Sequence, residues 1–193
     1  MKKSGKTALT VILVIVVVIA VFLVSQYNSL VGQEESVKES WSNVETNYQR
    51  RADLIPNLVE TVKGYAEHES STYENIAKLR SGYEEASTPE EYQKLDEELD
   101  LAINVAIEAY PELKANENFA KLQDELAGTE NRIAIARQDY NKVATPYNTR
   151  IRRFPTNIVA GIFGFERHEL FEAAPGSESA PAVDFSSRIA FAW

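Results

Sequence analysis

The chain has no cysteine, which excludes disulfides, thiolate metal sites and cysteine nucleophiles together and leaves the redox compartment open. Glycine and proline are scarce, at 8 and 7 of 193 residues, so the frequent tight turns of a β-sandwich or barrel lack raw material and helices are favoured. The only histidines, His68 and His168, stand in no His-Glu-x-x-His or other ligand spacing, so no metal or cofactor is expected. His68, between Glu67 and Glu69, reads as part of a solvated helix face. Basic residues are also few. All 29 acidic residues lie after position 25 while Lys2, Lys3 and Lys6 precede it, so the body carries 17 basic against 29 acidic side chains, a net −12. A nucleic-acid partner needs clustered Lys and Arg and is not expected.

Reaction centres are missing as well. The carboxylate pairs Glu84-Glu85, Glu90-Glu91 and Glu97-Glu98 are sequence neighbours, which point in different directions on a helix and share no substrate. Gly161-Ile162-Phe163-Gly164 lacks the glycine spacing, flanking strand and basic residue of a phosphate cradle, and no serine stands in a Gly-x-Ser-x-Gly elbow. The chain is therefore expected to be no enzyme, and it offers no identifiable small-molecule substrate.

What is present begins with an apolar run. From Ala8 to Val24 only Thr10 is polar, a stretch just short of the ~20 residues that span a bilayer comfortably. A cleaved signal would end with small-x-small, and Val21-Phe22-Leu23-Val24-Ser25 does not. A junction cysteine for lipoprotein processing is absent too. An uncleaved single-pass anchor is expected. Lys2, Lys3 and Lys6 precede it, whereas 26–37 contains no Lys or Arg, so the N-terminus is expected in the cytoplasm and the body outside, in the periplasm or at the outer face of the cell membrane.

Tyr27, Leu30, Val37, Trp41, Val44 and Tyr48 recur at three- and four-residue steps, one stripe of a helix interrupted only by Glu34. No breaker separates it from the anchor. Asp53 reads as an N-cap with Pro56 in the first turn of a second helix, whose apolar positions run from Ile55 to Tyr83 with weak points at Gly64 and Ser70-Ser71-Thr72. Thr88-Pro89-Glu90-Glu91 combines an N-cap, an N1 proline and a capping box. It starts a third helix with the face Tyr92, Leu95, Leu99, Ile103, Ala106 and Tyr110, ended by Pro111. A fourth, from beyond Asn116, carries Phe119, Leu122, Leu126, Ile133, Ala136, Tyr140, Val143, Tyr147, Ile151 and Phe154 in a bundle-type, coiled-coil-like seam, with polar insertions at Thr129 and Arg150. Pro146 is expected to kink it.

The expected class is all-α: a transmembrane helix followed by an antiparallel up-and-down bundle of about four long helices. Residues 1–25 form the basic tip and anchor, 26–165 the bundle, and 166–193 a loosely ordered extension with loop chemistry in Ala174-Pro175-Gly176-Ser177 and Ala180-Pro181, from whose end Phe185, Phe191 and Trp193 could dock. If the helices alternate in direction, the fourth returns toward the membrane. The apolar segment Ile158, Val159, Ile162, Phe163 and Phe165 then lies near the bilayer surface, and two readings stay open for it: interfacial contact with lipid, or packing under the bundle end.

One polar set stands out at the first helix junction: Arg50, Arg51, Asp53 and Asn57, with Glu130 and Asn131 of the fourth helix as partners. It is expected to be a network that fixes helix pairing, with partner binding as the rival reading.

Several strings resemble the LemA family of bacterial membrane proteins. They include Tyr27-Asn28-Ser29-Leu30-Val31, Arg50-Arg51-Ala52-Asp53-Leu54-Ile55-Pro56-Asn57-Leu58-Val59, Val62-Lys63-Gly64-Tyr65-Ala66-Glu67-His68-Glu69 and Tyr110-Pro111-Glu112-Leu113-Lys114-Ala115-Asn116. Thr129-Glu130-Asn131-Arg132-Ile133-Ala134, Ala136-Arg137-Gln138-Asp139-Tyr140-Asn141, Phe154-Pro155 and Gly164-Phe165 follow in the same order. The resemblance implies an anchored helical bundle and brings no catalytic residue with it. It departs at Pro146, where such sequences continue the helix, and in the tail after Phe185. The functional expectation is a membrane-anchored scaffold or interaction module of the cell envelope. It would touch lipid through its anchor and other envelope proteins, or itself, through the bundle. The alternative is a membrane-shaping or lipid-associated protein that uses 158–165.

Overall fold

A computed structural model describes residues 3–66 and 70–172. His68 and everything expected of the segment after Glu172, including the Val183–Trp193 tail, lie outside the described residues. Among the described residues there are five α-helices, one 3-10 turn and no strand: α1 (Lys3–Lys63), α2 (Ser70–Glu85), α3 (Pro89–Ala109), the 3-10 turn Pro111–Ala115, α4 (Glu117–Arg152) and α5 (Thr156–Phe163).

The anchor and the first bundle helix are one rod. Sixty-one residues of α1 at 1.5 Å each make it about 90 Å long. Its most apolar window has a mean hydropathy of 3.0 and is not covered by any other described part of the chain, as expected of a helix whose surroundings are lipid. Beyond the span the buried residues Leu30, Val37, Val44, Arg51 and Leu58 repeat every seven positions, and Tyr48, Ile55 and Val62 form a second buried series with the same period. That is a continuous heptad seam.

The expected second helix start at Asp53 and Pro56 is therefore corrected: Pro56 lies inside α1. A new helix there would break the phase that keeps Ile55, Leu58 and Val62 on the stripe of Val44 and Tyr48. Burial of that stripe outweighs the loss of one backbone hydrogen bond at proline. The true end is at Gly64, where the amides of Tyr65 and Ala66 both turn back onto the Val62 carbonyl at 2.9 and 3.0 Å.

The turn into α3 forms as the sequence dictates. Thr88 accepts from the Glu91 amide at 3.3 Å, and the Glu91 carboxylate accepts from the amides of Thr88 at 3.1 Å and Ser87 at 2.8 Å. These bonds hold Glu91 below the ordinary glutamate pKa, the Ser87 amide contributing most. Tyr110 caps the end of α3 before Pro111, and the Asn116 side chain caps α4 by accepting from the amides of Asn118 and Phe119.

Direction follows from the cross-links. Going down α1 from Arg51 to Tyr48 to Gln26, the partners on α4 are Glu130, Arg137 and Arg150, so the two long helices are antiparallel. At the distal end Asn116 donates to the Tyr65 hydroxyl at 2.9 Å. The fourth helix thus returns to the level at which α1 leaves its apolar span. Pro146 lies inside α4, which continues past it. Tyr83 of α2 stacks on Tyr48 at 5.9 Å between ring centroids, so the short α2–α3 hairpin covers the distal half of the α1–α4 pair.

The half nearer the anchor is covered differently. Residues 166–172, expected in the extension beyond the bundle, run as an irregular strap along α4. Asn148 pairs with the backbone of His168 by donating to its carbonyl at 2.7 Å and accepting from its amide at 2.9 Å, and Asn141 does the same with Phe171 at 2.8 and 3.1 Å. Tyr140 donates to the Glu169 carbonyl and Gln93 to that of Glu172. Phe171 is buried among Trp41, Tyr140 and Arg137, filling the place that a longer α2–α3 hairpin would occupy.

Candidate functional site

The polar set read from the sequence is brought together only in part. Arg51 is buried and meets Glu130. Arg50, Asp53, Asn57 and Asn131 are exposed. Asp53 accepts from the Gln49 side chain at 3.1 Å instead of capping a helix, because no helix starts there. Arg50, Asp53 and Asn57 share an i, i+3, i+7 row on the outer side of α1, and Asn131, one step beyond Glu130, turns about 100° away from it.

The centre of the network is instead Asp96 of α3. Tyr48 donates to its Oδ2 at 3.0 Å and Tyr83 to its Oδ1 at 2.8 Å. Arg51 reaches Oδ1 at 3.0 Å, and Arg137 pairs with Oδ2. The guanidinium of Arg51 also contacts Glu130, and Asp100 at 3.4 Å. Arg137 donates through Nε to the Tyr48 hydroxyl at 2.8 Å, with its Cζ 5.5 Å from the Tyr48 ring centre and 5.2 Å from that of Phe171. Tyr92 closes the other side, stacked on Tyr48 at 4.0 Å and 11°. Every long helix of the bundle contributes: Tyr48 and Arg51 from α1, Tyr83 from α2, Asp96 from α3, Glu130 and Arg137 from α4.

Electrostatics and burial oppose one another here. Burial pushes the Asp96 carboxyl up, against the pull of Arg51, Arg137 and the Tyr83 hydroxyl. Burial disfavours the charge on Arg51 and Arg137 too, yet their partners, Asp96 foremost for Arg51 and the Tyr48 hydroxyl oxygen with Asp96 for Arg137, hold both above the ordinary arginine value. Tyr48 and Tyr83 are pushed well above the ordinary tyrosine value, first by burial and then by the Asp96 charge. Asp96 accepts hydrogen bonds from two hydroxyls and from the Arg137 guanidinium, and Arg51 adds an ion pair. The arrangement ties four helices together, and of its buried polar atoms only the Arg51 Nε is without a partner among the described residues.

The strongest signal for Asp96 was in the sequence. Pro89, Tyr92, Asp96, Leu99 and Ala106 are the buried positions of α3, a three-four pattern in which a charge takes a core place. Choosing the half-buried Leu95 by its apolarity passes over it. Arg137 lies seven residues after Glu130, and Ala144 and Ile151 continue that row, so the same flank of α4 supplies both charges.

Elsewhere the cleft beside the strap, about 350 Å³, is lined by Trp41, Tyr140, Lys38, Thr88 and His168. Thr88 is committed to its cap and Lys38 pairs with Glu34 and Glu35, while the buried Nε2 of His168 has no partner among the described residues. Among the described residues no cluster of three or more His, Asp or Glu side chains could hold a metal.

The 158–165 segment divides. Val159 is buried in the core and Phe165 packs against it, whereas Ile158, Ile162 and Phe163 are exposed. Phe154, expected to extend the seam of α4, is exposed as well, because α4 ends at Arg152.

The LemA family model matches residues 40–185. Similar proteins include magnetosome protein MamQ 2 of Paramagnetospirillum magneticum, 28% identical over 81% of this chain and 68% of that protein. Magnetosome protein MamQ of Magnetospirillum gryphiswaldense is 26% identical with the same coverage, and protein LemA of Metamycoplasma hominis is 25% identical over 78% of this chain and 71% of that protein. The long apolar start of α1 fits a membrane protein. With the match running from the distal bundle part of α1 through α2, α3, α4, the ion cluster, α5 and the strap, the chain belongs to the LemA family.

Proposed function

We propose that this chain is a membrane-tethered, non-enzymatic interaction module of the bacterial cell envelope, with its N-terminus in the cytoplasm and its bundle outside. The observation that carries the reading is the unbroken α1, which is at once the span and the seam of the bundle. A rigid tether holds the bundle close to the bilayer and raises its local concentration toward other membrane proteins. The closed ion cluster supports a structural use of the charged residues that a reaction would otherwise claim. The groove of about 460 Å³ between α2 and α3, with Leu101 and Val105 exposed on its rim, offers a face for a protein partner. Photocrosslinkers at Leu101 and Val105 in intact membranes are expected to capture a discrete envelope protein. Recovery of uncrosslinked chain alone at both positions, under several chemistries, overturns the reading. A reporter fused after Trp193 tests topology: activity in the cytoplasm refutes the orientation drawn from Lys2, Lys3 and Lys6.

A second reading, lipid association through 158–165, is supported by the exposure of Ile158, Ile162 and Phe163 in a body that is otherwise strongly acidic.

A further inference from the structure

We infer that α5 is an in-plane membrane helix, seated in the interface of the leaflet from which the bundle emerges. This deepens the lipid reading and rests on α1 being a span.

Depth comes from α1. Seventeen residues from Ala8 to Val24 cover about 26 Å, and the hydrocarbon core of ~30 Å ends about three residues later, at Gln26 and Tyr27. These are the residues against which α5 is docked. Thr156, its first residue, lies 3.3 Å from the Gln26 side chain, and Phe163, its last, has its ring 4.7 Å from that of Tyr27. An eight-residue helix is about 12 Å long, so one that touches adjacent residues of α1 with both ends crosses α1 and does not run along it. Its length therefore lies near one depth of the bilayer.

The face of α5 is set by its burial. Thr156, Val159 and Ala160 are buried and join it to the bundle. On the opposite face Ile158 and Ile162, four residues apart, are exposed at 50% and 67%, and Phe154, in the turn just before the helix, is exposed at 80%. The bundle lies on one side of α5 and the anchor leaves on the other, so this row faces the bilayer. It continues the apolar surface of the span, as no other exposed patch among the described residues of the body does. The charges agree. Arg152 and Arg153 are exposed, make no ion pair among the described residues, and directly precede this row, while Arg150 donates to Gln26 at 3.2 Å. Three arginines at the corner nearest the membrane, in a body of net −12, suit lipid phosphates at the depth where interfacial helices sit.

The absence of cysteine makes the test direct. Single substitutions Leu13→Cys, Phe154→Cys, Ile162→Cys and Leu101→Cys in the full chain are labelled with an environment-sensitive fluorophore and reconstituted into vesicles of phosphatidylcholine and phosphatidylglycerol, with or without brominated acyl chains. Labels at 154 and 162 are expected to emit to the blue of the label at 101 and to lose intensity in brominated lipid, as the label at 13 does. The label at 101 serves as the exposed apolar control and is expected to keep its intensity. Quenching at 13 without quenching at 154 and 162 overturns the in-plane helix and leaves the anchor standing. No quenching at 13 overturns the anchor and this inference with it. Equal quenching at 101 and 162 shows a body lying flat on the bilayer and also overturns the inference. All four sites are exposed, so none of the substitutions removes a core contact.

Discussion

Replacing Arg51 by Met tests whether the ion cluster holds the bundle together. The Arg51 side chain is 4% exposed and its partner Asp96 13%, whereas Asp100 and Glu130 are 68% and 47% exposed. The two outer carboxylates are well solvated, and each contributes between nothing and ~1 kcal/mol. The cost is concentrated on Asp96, which would keep Arg137 and two tyrosine hydroxyls but lose the more deeply buried of its two cations. Removing one partner of a buried pair costs about 3–5 kcal/mol, and the retained partners place this case near the lower end. At roughly 2–4 °C per kcal/mol for a domain of this size, the melting temperature of the full chain in lipid nanodiscs, followed by far-ultraviolet circular dichroism, is expected to fall by roughly 6–12 °C. The double variant Arg51→Met with Asp96→Leu is expected to recover part of the loss, because Arg137 is at the rim and can turn to solvent once the carboxylate is gone. A drop of less than about 2 °C for the single variant, the surface value, or strict additivity in the double one would refute the assignment of the cluster as the tie between helices.

Other outcomes follow from single contacts. Thr88→Ala removes the N-cap of α3 and is expected to cost ~1 kcal/mol, with Thr88→Ser close to neutral. The Glu91 carboxyl is expected to titrate below an ordinary glutamate by NMR; its contribution is full above the ordinary value and is lost as pH falls through the depressed one, so a normal midpoint denies the capping box. Tyr92, Tyr140 and Tyr147 are each pushed up to about 12, chiefly by burial. The folded values exceed the unfolded one of ~10, so the stability they contribute is intact below that pH and declines as pH rises through about 12. Ultraviolet titration that ionised them near pH ~10 in a still-folded chain would contradict their burial. Phe171→Ala uncovers Arg137 and loosens the strap. It is expected to cost ~3 kcal/mol and to open 166–172 to limited proteolysis while α1 to α4 remain protected.

The helical class, the antiparallel return of the fourth helix, α3, α4 and the capping box were legible because each is written locally, in periodicity and in cap residues. The course of α1 was not. Asp53 and Pro56 carry a strong local start signal, and only the seven-residue phase linking Val44, Arg51 and Leu58 across it says that the helix continues. The site was half legible for a related reason. Arg51 and Glu130 stood out as charges in distinctive strings, but Asp96 was hidden by the habit of reading a seam from its apolar members alone. The strap was not legible at all: Asn141 and Asn148 look like surface residues of α4, and nothing local says that each will bind a backbone segment some twenty to thirty residues later in the chain.

The position of the cluster has a consequence for the whole bundle. The seams of α1, α3 and α4 are made largely of Leu, Ile, Val, Ala and Tyr at heptad spacing, and such seams can pair in more than one register, since a shift by seven residues matches apolar against apolar again. Arg51 and Asp96 occupy seam places and cannot be buried against aliphatic side chains without large cost. Only one alignment of the helices brings Arg51, Asp96 and Arg137 together with the hydroxyls of Tyr48 and Tyr83. A seven-residue slip of α4 against α1 would move Arg137 about 10 Å along the seam, take it from Asp96 and Tyr48, and leave the carboxylate with a single cation. The cluster thus penalises the alternatives more than it stabilises the native pairing. The same register sets the end of α4 against Gln26 of α1, where Arg150 donates to the Gln26 side chain.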